Sequence, residues 1–193
     1  MKTKIAGRHH FDDFHASGLA FWMINLMHDN PQLPLLKNPY RSLETAGLRP
    51  GQKVVEVGCG PGFFTIPAAK IVGTSGIVYA VDINPLAVKK VQVKMRKYGI
   101  DNIKPILGNA ANSGLSDSSI DLAFIFGLRY IAGGLCNLIS EIHRILKTDG
   151  ILSFEKTTGS DDKLVEEVER AGFVKTEKNG RVFVFAKSRN VSL

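Results

Sequence analysis

A short apolar run that leads into a glycine-rich turn constrains this chain more than any other feature. Val54-Val55-Glu56-Val57 precedes Gly58-Cys59-Gly60-Pro61-Gly62, and a helical pattern begins just after Phe63. Glycine has no Cβ atom, so this spacing lets the chain bend sharply and lets a ligand approach backbone N–H groups. The sequence therefore predicts a buried strand, a ligand-binding loop and a helix, in that order.

The residue after the third glycine separates two kinds of nucleotide-binding loop. A dinucleotide-binding loop would have its last glycine at position 63, but Phe63 stands there, and its ring closes the cradle for a pyrophosphate. The pocket that remains suits a smaller nucleoside without phosphate. With Glu56, the motif reads Glu-x-Gly-x-Gly-x-Gly, which resembles the first motif of class I S-adenosylmethionine (SAM) methyltransferases. The resemblance covers residues 48 to about 187 and implies SAM as the cofactor.

The pattern downstream of the loop predicts the fold class. Short apolar runs alternate with helical patterns, which indicates βαβ units around a parallel sheet. Asn179-Gly180 separates the last two strand patterns and predicts an antiparallel hairpin. We therefore expect an α/β, Rossmann-like, doubly wound and mostly parallel seven-stranded sheet that ends in an antiparallel hairpin, with helices on both faces. This ending is typical of methyltransferases and not of dehydrogenases. The predicted strands span residues 54–57, 77–81, 103–107, 120–126, 151–154, 173–178 and 181–187.

Prolines mark off the beginning of the chain. Pro31, Pro34 and Pro39 precede the first predicted strand, so we expect residues 1–47 to form an N-terminal helical segment and residues 48–193 to form the SAM-binding domain. Apolar side chains of the N-terminal segment, Trp22 among them, suit a lid over the methyl acceptor. They suit a helix packed on the edge of the sheet equally well.

Length and composition indicate one globular domain. The chain has 193 residues, of which 44% are hydrophobic and 22% are charged, so it can bury a core without disulfides. Cys59 and Cys136 are the two cysteines, which supports neither a disulfide framework nor a zinc site and fits a reducing cytoplasm. We expect no bound metal, although three histidines near the start allow that hypothesis: His9, His10 and His15. The longest apolar run is too short to span a bilayer.

The net charge of +7 raises the question of nucleic-acid binding. Much of the excess lies on one predicted helix, whose basic residues are Lys89, Lys90, Lys94, Arg96 and Lys97. A solvated helix face explains this cluster, and we favour it because charge balance alone reports solubility and non-specific attraction. The alternative is an RNA methyltransferase that uses this helix to bind its substrate.

A ligand in an open α/β sheet lies across the carboxyl ends of the strands, so the residues after each strand predict the pocket. Together with the family resemblance, this rule gives a set of cofactor-binding residues: Glu56, Gly58, Cys59, Gly60, Gly62, Phe63, Asp82, Ile83, Asn109, Ala110 and Phe126. Cys59 is expected to act as a small residue in the tight turn.

Asp82 carries the most specific of these predictions. Its two acceptor oxygens match the two hydroxyls of a ribose, and its charge would repel a 2′-phosphate, which argues against NADP. Ile83 either offers an apolar face to adenine or packs at the end of the strand. The family resemblance implies that Glu56 helps place the methionine end of SAM. It also implies that Asn109-Ala110 occupies the position where the family often has Asp-Ala against adenine.

The segment after the fourth strand bears on the methyl acceptor. Methyltransferases that act on exocyclic amines of DNA or on protein glutamine carry an Asn/Asp-Pro-Pro-Tyr/Phe turn there, whereas this chain has Phe126-Gly127-Leu128-Arg129-Tyr130. This departure favours a small-molecule acceptor, as in the quinone-biosynthesis methyltransferases. Arg129 and Tyr130 suit an anionic or phenolic acceptor, or are a surface arginine and a tyrosine at the core edge. A SAM-binding protein without catalysis is a further alternative, and the acceptor atom stays open.

Overall fold

Strands and helices alternate along the part of the chain that the computed structural model describes, residues 38–128, 131–157 and 159–188. The helices are α1 (Pro39–Thr45), α2 (Thr65–Val72), α3 (Pro85–Tyr98), α4 (Leu135–Ile145) and α5 (Asp161–Arg170), with a 3-10 helix at Ala110–Asn112. The strands are β1 (Lys53–Val57), β2 (Ile77–Asp82), β3 (Ile103–Leu107), β4 (Ile120–Ile125), β5 (Leu146–Glu155), β6 (Phe173–Asn179) and β7 (Val182–Lys187).

The seven strands form one sheet in the order β3-β2-β1-β4-β5-β7-β6. The first five strands are mutually parallel, and β7 runs antiparallel to both β5 and β6. This arrangement confirms the predicted fold class. The strand order reverses between β1 and β4, so the carboxyl ends of these two strands border the crevice where open α/β sheets bind ligands.

Two details differ from the sequence-based expectation. Asn179 pairs with Val182, so the two-residue loop is Gly180-Arg181, one residue later than predicted. Gly180 has a φ of 61°, and a II′ turn requires a positive φ at this first loop position. The second difference is at β5, which begins at Leu146 rather than at residue 151. Its pairing with β4 jumps between Ile120 and Leu122, so the strand starts with an irregular stretch.

The sheet is covered on both faces by apolar helix surfaces. On one face, Leu43 of α1, Ala68 of α2 and Val91 of α3 share a buried cluster with Phe124 of β4. On the other face, α4 and α5 contribute to a second buried cluster. The buried hydroxyl of Ser153 donates a hydrogen bond of 2.7 Å to the carbonyl of Ala46 and so ties the end of α1 to the middle of the sheet. No helix in the described ranges is long and apolar enough to cross a membrane.

Helix α3 has the end signals that the sequence predicts. The side chain of Asn84 accepts a hydrogen bond from the backbone N–H of Leu86, Pro85 is the first helical residue, and Gly99 adopts the left-handed conformation at the end. The solvent side of the helix exposes Lys89, Arg96 and Lys97, whereas Lys90 and Lys94 are half-buried. The neighbouring strand β3 forms one edge of the sheet, where Lys104 is exposed and Pro105 is half-buried.

A polar network fastens the segment between the 3-10 helix and β4 to α4. The buried carboxylate of Glu141 accepts hydrogen bonds from the backbone N–H and the hydroxyl of Ser113, at 2.9 and 2.7 Å. Arg144 donates to the same carboxylate, to the carbonyl of Leu115 and to Asp117. The hydrogen bonds from Arg144 are the main cause that lowers the pKa of Glu141 from 4.5 to about 2.

We expect Glu141→Gln to lower the free energy of unfolding by about 1.5 to 3 kcal/mol at pH 7, the range for hydrogen bonds to a charged group. Because the folded-state pKa of Glu141 lies below its unfolded value, this stabilisation is present above pH 4.5 and is lost as the pH falls towards 2. Urea unfolding of both proteins across this range measures the difference. Glu166→Gln, which removes an exposed carboxylate paired with Arg170 on α5, is the control. A difference that stays constant from pH 7 to pH 3 would contradict the assignment.

Candidate functional site

The glycine loop that follows β1 is held against the end of β2. The backbone N–H groups of Gly58 and Cys59 both donate to the carbonyl of Val81, at 2.9 and 3.1 Å. Gly58, Gly60 and Gly62 have φ angles of 75°, 51° and 86°. These angles lie in the left-handed region that favours glycine, so all three positions require it for the backbone path alone.

Two of the glycines also make room for neighbouring segments. A Cβ atom at Gly58 would lie 2.5 Å from Cδ1 of Leu128, in the segment after β4. A Cβ atom at Gly62 would lie 3.3 Å from Cγ2 of Val91, on α3. The glycine at position 58 therefore admits a leucine side chain, and the glycine at position 62 allows α3 to pack closely against the start of α2.

Asp82 joins the end of β2 to the glycine loop. Its Oδ2 atom accepts a hydrogen bond of 2.8 Å from the backbone N–H of Gly60, and its Oδ1 atom accepts one of 2.8 Å from the N–H of Asn84. Burial raises the pKa of this carboxyl above its usual value, and hydrogen bonds from the backbone N–H groups of Asn84, Gly60 and Ile83 oppose the shift. Each carboxylate oxygen has two lone pairs, so each can accept a second hydrogen bond, for example from a sugar hydroxyl.

Glu56 is a buried carboxyl group at the base of the same loop. Its side chain is 3% exposed, and its Oε2 atom accepts a hydrogen bond of 2.6 Å from the hydroxyl of Thr65, the first residue of α2. Burial raises the pKa of Glu56 from 4.5 to about 8; the Thr65 hydroxyl opposes the shift and the nearby Asp82 adds to it. At neutral pH this group is therefore mostly uncharged unless a cation lies beside it.

Cys59 lies inside the loop with its thiol buried. Burial raises the pKa of this thiol well above its usual value, and the neighbouring carboxyl groups of Glu56 and Asp82 raise it further. The thiol is therefore protonated at neutral pH, which fits a small packing residue better than a nucleophile.

A row of aromatic rings lines the beginning of α2 and the end of β4. The rings of Phe63 and Phe64 meet edge to face with centroids 4.9 Å apart, and the next pair, Phe64 and Phe126, has centroids 5.2 Å apart. Phe126 also contacts Phe124, with centroids 5.5 Å apart. Phe63 is half-buried and Phe126 is buried, so Phe63 is the ring of the predicted pair that is more open to a ligand.

The remaining predicted cofactor residues lie after β2 and β3. Ile83 is half-buried and follows Asp82 directly. Asn109 is exposed, and its side-chain oxygen accepts a hydrogen bond of 2.9 Å from the N–H of Ala111, which caps the 3-10 helix. Ala110 packs in the buried cluster on the α4 face of the sheet. Both of these residues therefore also have structural roles.

The predicted acceptor residues Trp22, Arg129 and Tyr130 lie outside the described residues, as do His9, His10, His15 and nearly all of the N-terminal segment. Within the described ranges, no group of three or more histidine, cysteine, aspartate or glutamate side chains is arranged to hold a metal ion.

Two polar residues at this end of the sheet were missed from the sequence. Thr65, whose hydroxyl donates to Glu56, could have been found from the sequence, because it is the polar residue at the first helical position after the loop. Glu155 ends β5, and its Oε2 atom accepts a hydrogen bond of 3.0 Å from the N–H of Gly127. The rule that pocket residues follow each strand would have found Glu155 if it had been extended to the fifth strand.

Comparison with known proteins finds solved structures that share this fold. A crystal structure of a SAM-dependent methyltransferase from Aquifex aeolicus superposes with a TM-score of 0.71 at 26% identity, covering 82% of this chain and 93% of the other. A structure of the 1,6-didemethyltoxoflavin-N1-methyltransferase of Burkholderia thailandensis, solved with S-adenosylhomocysteine, shares the fold at a TM-score of 0.69 and 15% identity, covering 97% and 93% of the two chains.

Curated relatives of this chain are also named methyltransferases. A demethylmenaquinone methyltransferase of Geobacillus stearothermophilus is 36% identical over 102 residues, which are 52% of this chain and 43% of that protein. A protein of Saccharolobus solfataricus, named as a probable cobalt-precorrin-6B C(15)-methyltransferase (decarboxylating), is 30% identical over 79% of this chain and 78% of its own length. The chain thus spans about half the length of the quinone-related protein. A family model described as a methyltransferase domain matches residues 48–186, and the chain belongs to this family.

Proposed function

We propose that this protein is a SAM-dependent methyltransferase that transfers the methyl group of SAM to a small molecule. The observation that carries the proposal is the hydrogen bond from Gly60 to Asp82, because it places a carboxylate beside the glycine loop at the crevice of the sheet. A ligand that lies against this loop meets backbone N–H groups on one side and acceptor oxygens for its sugar hydroxyls on the other.

The electrostatics of the pocket favour a cationic ligand. SAM carries a positive sulfonium and an ammonium group, and Glu56 and Asp82 supply two carboxyl groups near the loop. A bound cation favours the ionised form of a nearby carboxyl group. In this proposal Asp82 binds the ribose hydroxyls, Glu56 helps to place the methionine end, and Ile83 and Asn109-Ala110 lie towards adenine.

The chemistry requires position more than reactive side chains. The acceptor attacks the methyl carbon in line with the bond to sulfur, and the electron pair of that bond goes to the sulfur atom. Holding the two reactants in this geometry can lower the barrier by about 7 to 11 kcal/mol. A protein nucleophile has no part in this step, in keeping with the buried, protonated thiol of Cys59. A base is needed only if the acceptor arrives protonated.

Two observations support a small-molecule acceptor. The named relatives include enzymes of demethylmenaquinone and cobalt-precorrin methylation, which modify small organic molecules. The segment Phe126-Gly127-Leu128 also lacks the Pro-Pro turn typical of enzymes that methylate DNA amines. We place the acceptor near Trp22, Arg129 and Tyr130, beneath the N-terminal segment, and we place the protein in the cytoplasm.

A thermal-shift panel tests the cofactor. We expect SAM or S-adenosylhomocysteine to raise the melting temperature, because a ligand at a hundred times its dissociation constant adds about 2.7 kcal/mol to stability. NAD is expected to have no effect, since Phe63 occupies the position of the third glycine. Stabilisation by NAD alone would contradict the proposal.

A second experiment separates an enzyme from a SAM-binding protein without catalysis. If SAM binds, the protein is incubated with radiolabelled SAM and a metabolite extract, and transfer of the labelled methyl group to a metabolite is measured.

We expect Asp82→Ala to weaken S-adenosylhomocysteine binding by about tenfold or more, since it removes charge-assisted hydrogen bonds to the ribose. Isothermal titration calorimetry measures the dissociation constant, and circular dichroism checks that the variant is folded. Asp101→Ala is the matched control, because Asp101 is an exposed aspartate just before β3, at the opposite end of the sheet. Equal affinity of the Asp82 variant and the wild type for S-adenosylhomocysteine would show that Asp82 does not bind the cofactor.

The raised pKa of Glu56 predicts that SAM binding depends on pH. Below about pH 8 the carboxyl group of Glu56 in the free protein is mostly protonated, and a cation binds the ionised form better. The affinity for SAM should therefore rise from pH 6 to pH 8 and then level off. Because one proton is involved, the affinity for SAM can change by at most about tenfold per pH unit. Titrations of the wild type and of Glu56→Gln over this range measure the effect. A ratio of the two affinities that does not change with pH would contradict the role of Glu56.

A further inference from the structure

The segment after β4 is fastened to the end of β5 by two hydrogen bonds. The backbone N–H of Gly127 donates to Oε2 of Glu155 at 3.0 Å, and the hydroxyl of Thr157 donates to the carbonyl of Leu128 at 3.1 Å. Gly127 has a φ of 67°. Glycine adopts this left-handed conformation without steric cost, and the two bonds hold the backbone at and directly after it.

The end of β5 is itself bonded to the final hairpin. The guanidinium group of Arg181 donates to the carbonyls of Lys156 and Thr157, at 2.9 and 2.8 Å. Glu155 also pairs with Val182 in the antiparallel ladder between β5 and β7. The backbone at the end of β5 is therefore held in place by the hairpin, and Glu155 and Thr157 in turn hold the segment after β4.

The held segment reaches the glycine loop. Cδ1 of Leu128 lies so near Gly58 that a Cβ atom on that glycine would be 2.5 Å away. In the pairing register, Glu56 of β1 lies beside Phe124 of β4, and Phe124 lies beside Ser153 of β5. Gly58 is two residues after Glu56, and Glu155 is two residues after Ser153. Gly58 and Glu155 therefore lie at the same level at the carboxyl edge of the sheet.

We propose that Glu155 is a positioning residue that seats Leu128 against Gly58 and so forms an apolar wall of the cofactor site. This inference rests on the proposed function, because the wall borders the loop that binds SAM. Leu128 lies against the start of the loop at Gly58, two residues after Glu56, which the proposed function assigns to the methionine end. Glu155 acts through the Gly127 N–H and does not itself touch the cofactor.

The test compares S-adenosylhomocysteine binding by calorimetry in four variants and the wild type. Glu155→Ala removes the acceptor for the Gly127 N–H, and Leu128→Ala removes the wall directly. Both are expected to weaken binding by about tenfold, which corresponds to the loss of one hydrogen bond to a charged group or of one apolar contact surface. Glu155→Gln keeps a side-chain oxygen at the same place and should bind within about twofold of the wild type, because a neutral acceptor still holds the segment.

Glu177→Ala is the matched control, since Glu177 is an exposed carboxylate on β6, and it should bind like the wild type. Wild-type affinity in Glu155→Ala or in Leu128→Ala would overturn the inference. So would a Glu155→Gln variant that binds as weakly as Glu155→Ala, because the charge of the carboxylate would then matter rather than its position. If Glu155→Ala fails to fold, the Leu128→Ala result decides alone. A wild-type protein that binds neither SAM nor S-adenosylhomocysteine would instead refute the proposed function.

Discussion

The hydrogen bond from the Gly60 N–H to Asp82 is the interaction on which the rest of the site depends. It connects the loop after β1 with the end of β2, two elements that the sheet already brings side by side. The bonds from Gly58 and Cys59 to Val81 strengthen this connection. Together they hold a loop of left-handed glycines in one shape, so that a ligand need not order it.

Among the residues that the structure describes, the hydrogen-bond donors to Glu56 and Asp82 are neutral groups. Glu56 is buried with a neutral hydroxyl as its hydrogen-bond partner, and burial raises the pKa of Asp82 although backbone donors surround it. A buried carboxyl group without a counter-charge takes up a proton instead of remaining ionised. The fold therefore tolerates an arrangement that a cationic cofactor would complete, and this tolerance is typical of functional sites.

Much of this architecture could be predicted from residue types alone. The N-cap Asn84, Pro85 and Gly99 bound α3 because each has one strongly preferred place at a helix end. The hairpin turn was placed one residue early, because Asn-Gly favours a turn with two left-handed residues whereas Gly180 is here the sole residue of the loop with a positive φ. The start of β5 was missed because polar residues between Leu146 and Gly150 resemble a turn.

The site was harder to predict than the fold. The glycine turn and the place of Asp82 at the end of β2 follow local rules about strand ends, so sequence alone could predict where they lie, and their part in cofactor binding stays a prediction. Contacts between distant segments obey no such rule: the approach of Leu128 to Gly58 and the bond from Gly127 to Glu155 depend on how β1, β4 and β5 align. Sequence spacing could indicate which loops meet, but not which side chains fill the space between them.

The two outer strands of the sheet bear on how copies of the protein behave at high concentration. An outer strand offers unpaired N–H and C=O groups to any other strand, and proteins guard such strands with lysine and proline. Strand β3 carries Lys104 and Pro105 beside the basic helix α3, and β6 exposes Lys175 and Lys178. Lysine on both outer strands and proline on β3 disfavour the pairing of one sheet edge with that of another molecule.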